Sequence, residues 1–175
     1  MSTALLIALA FASVLVDVAA APGAEIFGVR AQFTLVLVAL WSVLRPSAEV
    51  MLLAPAAGLL LGLLGSEPLG VSVLALAPIV VLGLSSNSRS TERRLLTSIG
   101  LVVAGTLAYA LIHGFFSGLL GGPFLIGIDR LPTLFVLCLV NAALASMLYW
   151  PLAKLPGDVG VRNDIRPSRG PRLWE

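Results

Sequence analysis

Charge is scarce in this chain: Asp, Glu, Lys and Arg make up 11% of its 175 residues, less than half of the roughly 25% usual in a soluble domain. So few ionised side chains cannot coat a globule of this size. Cysteine occurs once, at Cys138 within an apolar run, which excludes an intrachain disulfide and a CxxC metal site. An HExxH pair, a Gly-rich phosphate loop, a nucleotide motif and a paired acidic metal site are all missing, so no metal or cofactor is expected. The slight basic excess, a formal +2, lies in connections and the C-terminal segment with no aromatic platform interleaved. Nucleic acid is therefore not an expected partner.

Apolar length is what the chain has instead. Hydrophobic residues are 58% of it and the mean hydropathy is +1.02. A helix crossing a bilayer core needs about 20 apolar residues, so the length accommodates about six crossings. The expected fold is all-α, a polytopic membrane helix bundle with about six transmembrane helices. Polar punctuation marks the spans. The first runs from Ala4 to Ala20 and ends before Pro22-Gly23; the second runs from Ile26 to Leu44 and stops at Arg45-Pro46. The third starts after Ser47, an N-cap, with Glu49 in its first turn to complement the helix dipole, and reaches Leu64. The fourth covers Leu69 to Leu84. After the polar run from Ser85 to Arg94 the fifth spans Leu95 to Leu120, and the sixth spans Leu131 to Leu155 with Pro132 in its first turn. Residues 1–155 form the bundle; residues 156–175 turn to Pro, Gly and Arg and read as a short irregular cytoplasmic tail. Spans three and four are short and joined by Gly65-Ser66-Glu67-Pro68, so they form either a re-entrant hairpin or a full pair.

Loop charge gives the expected orientation. Arg45, Arg89, Arg93, Arg94, Lys154, Arg162, Arg166, Arg169 and Arg172 share one side, against Arg30 and Arg130 on the other. The positive-inside rule puts the larger set and both termini in the cytoplasm, with Trp41 and Trp150 as interface anchors. Residues Ala4 to Val18 followed by Ala19-Ala20-Ala21 also look like a secretory h-region. Met1-Ser2-Thr3 has no basic side chain, however, and the segment is read as a retained span.

Polar groups inside the spans are few. Asp17 and Arg30 fall at similar depth on antiparallel neighbours, as an interfacial ion pair whose mutual attraction lowers the cost of burial. His113 and Ser117 share one face of the fifth span, but no acidic orienter or nucleophile elbow accompanies them, and a structural role is expected rather than catalysis. Asn141, halfway along the sixth span, needs an amide partner either inside the bundle or on a second membrane protein. The remaining acidic side chains lie in loops or at span ends, which argues against an ion-coupled pump. Gly58-Leu59-Leu60-Leu61-Gly62 is a small-xxx-small step, continued near that face by Gly65, and Ala4, Ala8 and Ala12 repeat the pattern on the first span. Such spacing admits a close backbone neighbour, either inside the bundle or on a partner.

The string Gly58-Leu59-Leu60-Leu61-Gly62-Leu63-Leu64-Gly65-Ser66-Glu67-Pro68-Leu69-Gly70-Val71, continued by Ser72-Val73-Leu74-Ala75-Leu76, resembles the rod shape-determining protein MreD family. Val140-Asn141-Ala142-Ala143-Leu144, then Trp150-Pro151 and Lys154, also look like that family's last helix. The resemblance covers about residues 1 to 155, and its motifs are not chemically strict. Many members carry an aspartate where this chain has Gly62, so no role of that carboxylate transfers, and the tail has no counterpart. The resemblance implies a noncatalytic scaffold of the bacterial cell-elongation complex in the cytoplasmic membrane, supporting peptidoglycan synthesis and cell shape. Its implied partners are an MreC-like bitopic protein and, through it, the RodA glycosyltransferase, a class B penicillin-binding protein and MreB. Gly58, Gly62, Gly65, Pro68, Gly70 and Asn141 would then form the partner-helix interface. The family's bundle is similar to the substrate-binding components of energy-coupling-factor transporters, which supplies the alternative expectation of a vitamin-binding membrane component.

Overall fold

The computed structural model describes residues 3–19, 25–26, 29–45, 47–65, 70–85, 91–119 and 131–154. These form six helices and one minimal hairpin: α1 (Thr3–Ala19), β1 (Glu25–Ile26), β2 (Val29–Arg30), α2 (Phe33–Leu44), α3 (Ser47–Leu64), α4 (Val71–Ser85), α5 (Thr91–Leu119) and α6 (Leu131–Lys154). The all-helical expectation holds. Pro68, Arg89, Arg130 and the tail lie outside the described residues.

Two boundaries differ from expectation. The second span, expected from Ile26, begins as an antiparallel hairpin with Glu25 opposite Arg30 and Ile26 opposite Val29, and its helix starts only at Phe33. Apolarity alone does not separate a β-branched strand from a helix. The remaining helix has 12 residues, about 18 Å at 1.5 Å per residue. In the opposite sense, α5 takes up Thr91 to Arg94, which the polarity of that stretch assigned to a connection. Pro55 in α3 and Pro78 in α4 do not interrupt their helices, a tolerance familiar where neighbouring helices support the freed backbone.

The short α2 is the axis of the bundle. Every residue from Thr34 to Ser42 is buried, and α2 packs against each of the other five helices. A helix apolar all round has no solvent-facing side and belongs inside. Close approach sets its neighbours. A Cβ placed on Gly83 of α4 would collide with Ser42 of α2, whose Cβ would lie 2.5 Å away, and would stand 3.1 Å from Leu101 of α5. One placed on Gly105 of α5 would fall 2.7 Å from Ile79 of α4 and 3.8 Å from Leu35 of α2. Leu35 and Ser42 thus follow Ile79 and Gly83 in the same order, while Gly105 and Leu101 run the other way. α2 and α4 are parallel and α5 is antiparallel to both.

Large apolar side chains cover the outside. Phe11, Met51, Leu63, Val81, Leu96, Leu111 and Phe115 are exposed, as are Phe135 at 70% and Met147 at 76% on α6. Of α6 only Asn141, Ala145, Tyr149 and Leu152 are buried. Several helical hydroxyl groups bond back to a carbonyl one turn earlier, as Ser98 does to Arg94 at 2.8 Å and Ser146 to Ala142 at 2.9 Å. Two helical segments, Arg93–Leu119 and Leu131–Lys154, are long and apolar enough to cross a membrane; the other four helices are apolar and shorter.

Candidate functional site

The first turn of any helix leaves backbone N–H groups without intrahelical acceptors. In α2 this need arises at the centre of an apolar bundle, and two other helices meet it. Asp17 of α1 accepts from Phe33 N at 2.7 Å through Oδ1 and from Thr34 N at 2.8 Å through Oδ2. Its negative charge also sits where the dipole of α2 favours an anion. Gln32, the N-cap, makes no capping bond with its own side chain. Its backbone N–H instead donates to Asn141 Oδ1 of α6 at 3.0 Å.

Asn141 continues the network. Its Nδ2 donates to Thr106 Oγ1 of α5 at 3.0 Å and, at 3.4 Å, to Gln32 Oε1. The Thr106 hydroxyl donates in turn to Val102 O at 2.8 Å. Asn141 and Thr106 are fully buried and Asp17 is 7% exposed. A buried polar chain whose members all find partners rigidifies the structure around it, whereas a half-satisfied one destabilises it. Here the chain joins α1, α2, α5 and α6 at one level.

Beside this junction lies a cavity of about 180 Å³, lined by Asp17, Arg30, Gln32, Leu61, Gly65 and Tyr109 among others. Arg30, at the exposed end of β2, and Asp17 share its wall, so the expected neighbours are brought to one cavity. The carboxylate contacts are nevertheless with the amides of α2, and the helix start takes the place assigned to the guanidinium. The His113 ring stacks on Tyr109 with centroids 6.0 Å apart.

No protein-family model, no curated protein and no solved structure matches this chain.

The small-residue face resolves into separate roles. A Cβ on Gly58 would lie 2.8 Å from Val73 Cα and 3.0 Å from Val73 N, so the expected partner-helix contact at Gly58 is filled by this chain's own α4. Asn141 likewise spends its amide inside the bundle. Gly62 is buried and Gly65 is exposed at the cavity. Gly70 has φ +94°, a left-handed conformation that glycine adopts without steric cost, and its carbonyl accepts from Leu74 N at 3.0 Å. It therefore shapes the entry to α4.

At the far end of α2, Trp41 Nε1 donates to Glu49 Oε2 of α3 at 3.3 Å and the Arg45 guanidinium lies 5.2 Å from the Trp41 ring centroid. Glu49, expected only to complement its own helix dipole, also ties α3 to α2. Gln32, Thr106 and Trp41 as a hydrogen-bond donor escaped the sequence reading. Thr106 carried a usable signal, being a hydroxyl in the middle of an apolar span; the acceptor role of Asn141 toward a main-chain amide carried none.

A second concavity of about 580 Å³ runs between α5 and α6, walled by Val103 and Leu107 on one side and Leu131, Phe135, Cys138 and Ala142 on the other. The α6 positions advance by four, three and four residues, which traces a stripe along the helix axis.

Proposed function

We propose that the chain is a six-span membrane bundle with both termini cytoplasmic, serving as a noncatalytic scaffold in a bacterial cell-elongation complex. It holds the transmembrane helix of an MreC-like bitopic partner and acts through it on RodA, a class B penicillin-binding protein and MreB. The observation that carries the scaffold reading is the apolar trough between α5 and α6. It opens on the outer surface and follows the helix axis, the shape in which a second rod lies against a bundle. The outward apolar side chains of the peripheral helices support immersion in lipid, and the buried side chains of Asp17 and Asn141 are engaged in joining helices. The family assignment rests on the sequence resemblance.

The partner face differs from the one expected at Gly58 and Asn141, because both are occupied within the bundle. With an MreC-like protein bearing one cysteine in its transmembrane segment, oxidation is expected to give a cross-link at Cys138. Ala142→Trp fills the trough and is expected to reduce partner recovery at least tenfold, with membrane insertion and thermal midpoint retained. Unchanged recovery would sink the proposal.

The vitamin-binding alternative draws on the inner cavity. At about 180 Å³ that space is smaller than the roughly 300–1,000 Å³ of small-molecule sites, and it ranks second. A vitamin retained stoichiometrically in native mass spectrometry would reverse the order.

A further inference from the structure

The cavity beside the start of α2 is smaller than the usual small-molecule site, yet its wall carries two opposite charges, Asp17 and Arg30. A carboxylate offers about four lone-pair positions on its two oxygens. Asp17 commits one on each oxygen to Phe33 and Thr34, and the same side chain lines the cavity. Arg30 lines it too and brings the opposite charge, while Leu35, Leu61 and Leu76 supply apolar wall. An anion alone would meet the Asp17 carboxylate, and a cation alone would meet the Arg30 guanidinium. A group carrying both signs meets each with its opposite. In surroundings of lowered dielectric that match of sign governs selection more than contact area does.

We propose that this cavity is a binding site for a small zwitterion, an ammonium and an oxyanion joined by a short link, with the ammonium on Asp17 and the oxyanion on Arg30. The volume accommodates about six waters at ~30 Å³ each, the size of a phosphoethanolamine group or a small amino acid. The chemistry is shared by the headgroup of an aminophospholipid and by a free amino-acid-like solute. The site is separate from the α5–α6 trough, so ligand binding and partner recovery are read independently.

The full chain, purified in detergent, is to be titrated with O-phosphoethanolamine, with glycine, and with inorganic phosphate and ethanolamine separately. It is also to be reconstituted in nanodiscs of phosphatidylethanolamine or of phosphatidylglycerol and examined by native mass spectrometry. A zwitterionic probe is expected to raise the thermal midpoint where phosphate and ethanolamine separately do not, or a phosphatidylethanolamine adduct is expected to remain on the chain. Protection by the soluble probes without a lipid adduct identifies a free solute; a retained adduct identifies the lipid headgroup. Arg30→Gln, at the exposed end of the hairpin and away from the buried network, is expected to weaken either interaction at least tenfold. Asp17→Asn removes the other charge, and comparison of its unliganded midpoint with the parent's separates loss of fold from loss of binding. The proposal is overturned if zwitterionic and singly charged probes act alike and phosphatidylethanolamine is retained no better than phosphatidylglycerol. Equal binding by Arg30→Gln and the parent also overturns it.

Discussion

Asp17 and Asn141 hold the start of α2 by complementary means, a charge and a neutral amide. Both stand out in the sequence, because a carboxylate or an amide inside an apolar run needs a partner. Their partners do not stand out, since three are main-chain N–H groups of Gln32, Phe33 and Thr34, identical in every non-proline residue. This is why the sequence reading paired Asp17 with Arg30. Asn141→Ala is expected to lower stability by about 1–3 kcal/mol, the cost of leaving buried polar groups unsatisfied, read as a fall in thermal midpoint of the purified protein. Cys138→Ala on the half-buried side of the same helix serves as the comparison and should cost less. Removing the cap through Asp17→Ala is expected to cost about 0.5–2 kcal/mol. An Asp17→Ala midpoint equal to the parent's would show that α2 does not depend on α1 for its start.

Helices here meet through glycines whose importance differs from what spacing implied. The pattern singles out Gly58, Gly62 and Gly65, and at Gly58 it marks a close approach to the backbone of Val73 on α4. Gly83 and Gly105 belong to no small-xxx-small step singled out in the sequence, yet they let α4 and α5 close on α2 and on each other. Gly83→Ala and Gly105→Ala are each expected to destabilise by about 1–3 kcal/mol through overpacking. Gly100 sits in the same α5 with open space where its Cβ would be. Gly100→Ala is therefore expected to stabilise by about 0.5–1 kcal/mol, the helix-interior gain of alanine over glycine. Thermal unfolding of the three variants side by side checks the contrast; a uniform effect would contradict the packing described. Helix existence was legible from apolar length alone. The hairpin before α2 was not, because Ile26 and Val29 suit a strand and a helix equally in an apolar stretch.

The bundle as a whole turns apolar side chains both inward and outward, with the shortest helix at its centre. Position on α6 therefore decides what a polar substitution does. Leu139 is 60% exposed and lies within the α5–α6 wall. If the proposed bundle is immersed in lipid, Leu139→Asp at this exposed mid-helix site is expected to oppose insertion by roughly 2.5–3.5 kcal/mol, lowering the membrane-integrated fraction in an insertion assay. If the mutant instead partitions into the membrane like the parent, α6 does not face lipid at Leu139. Reporter fusions after Lys154 and within the segment between α1 and β1 are expected on opposite sides, as the distribution of basic residues implies. Matching sidedness would exclude the six-span arrangement.

Composition was enough to establish a helical, apolar chain, because scarcity of charge and long apolar stretches are additive properties that survive any arrangement of the helices. Which helix lies inside was a matter of tertiary packing, because all six are apolar and burial is shared out only when they compete for neighbours. α2 is central because it is short, apolar all round and capped from two sides by α1 and α6. The assignment of Asp17 and Asn141 to main-chain amides likewise arose in three dimensions, where contacts between groups distant along the chain depend on relative helix height. No spacing within one segment encodes that height.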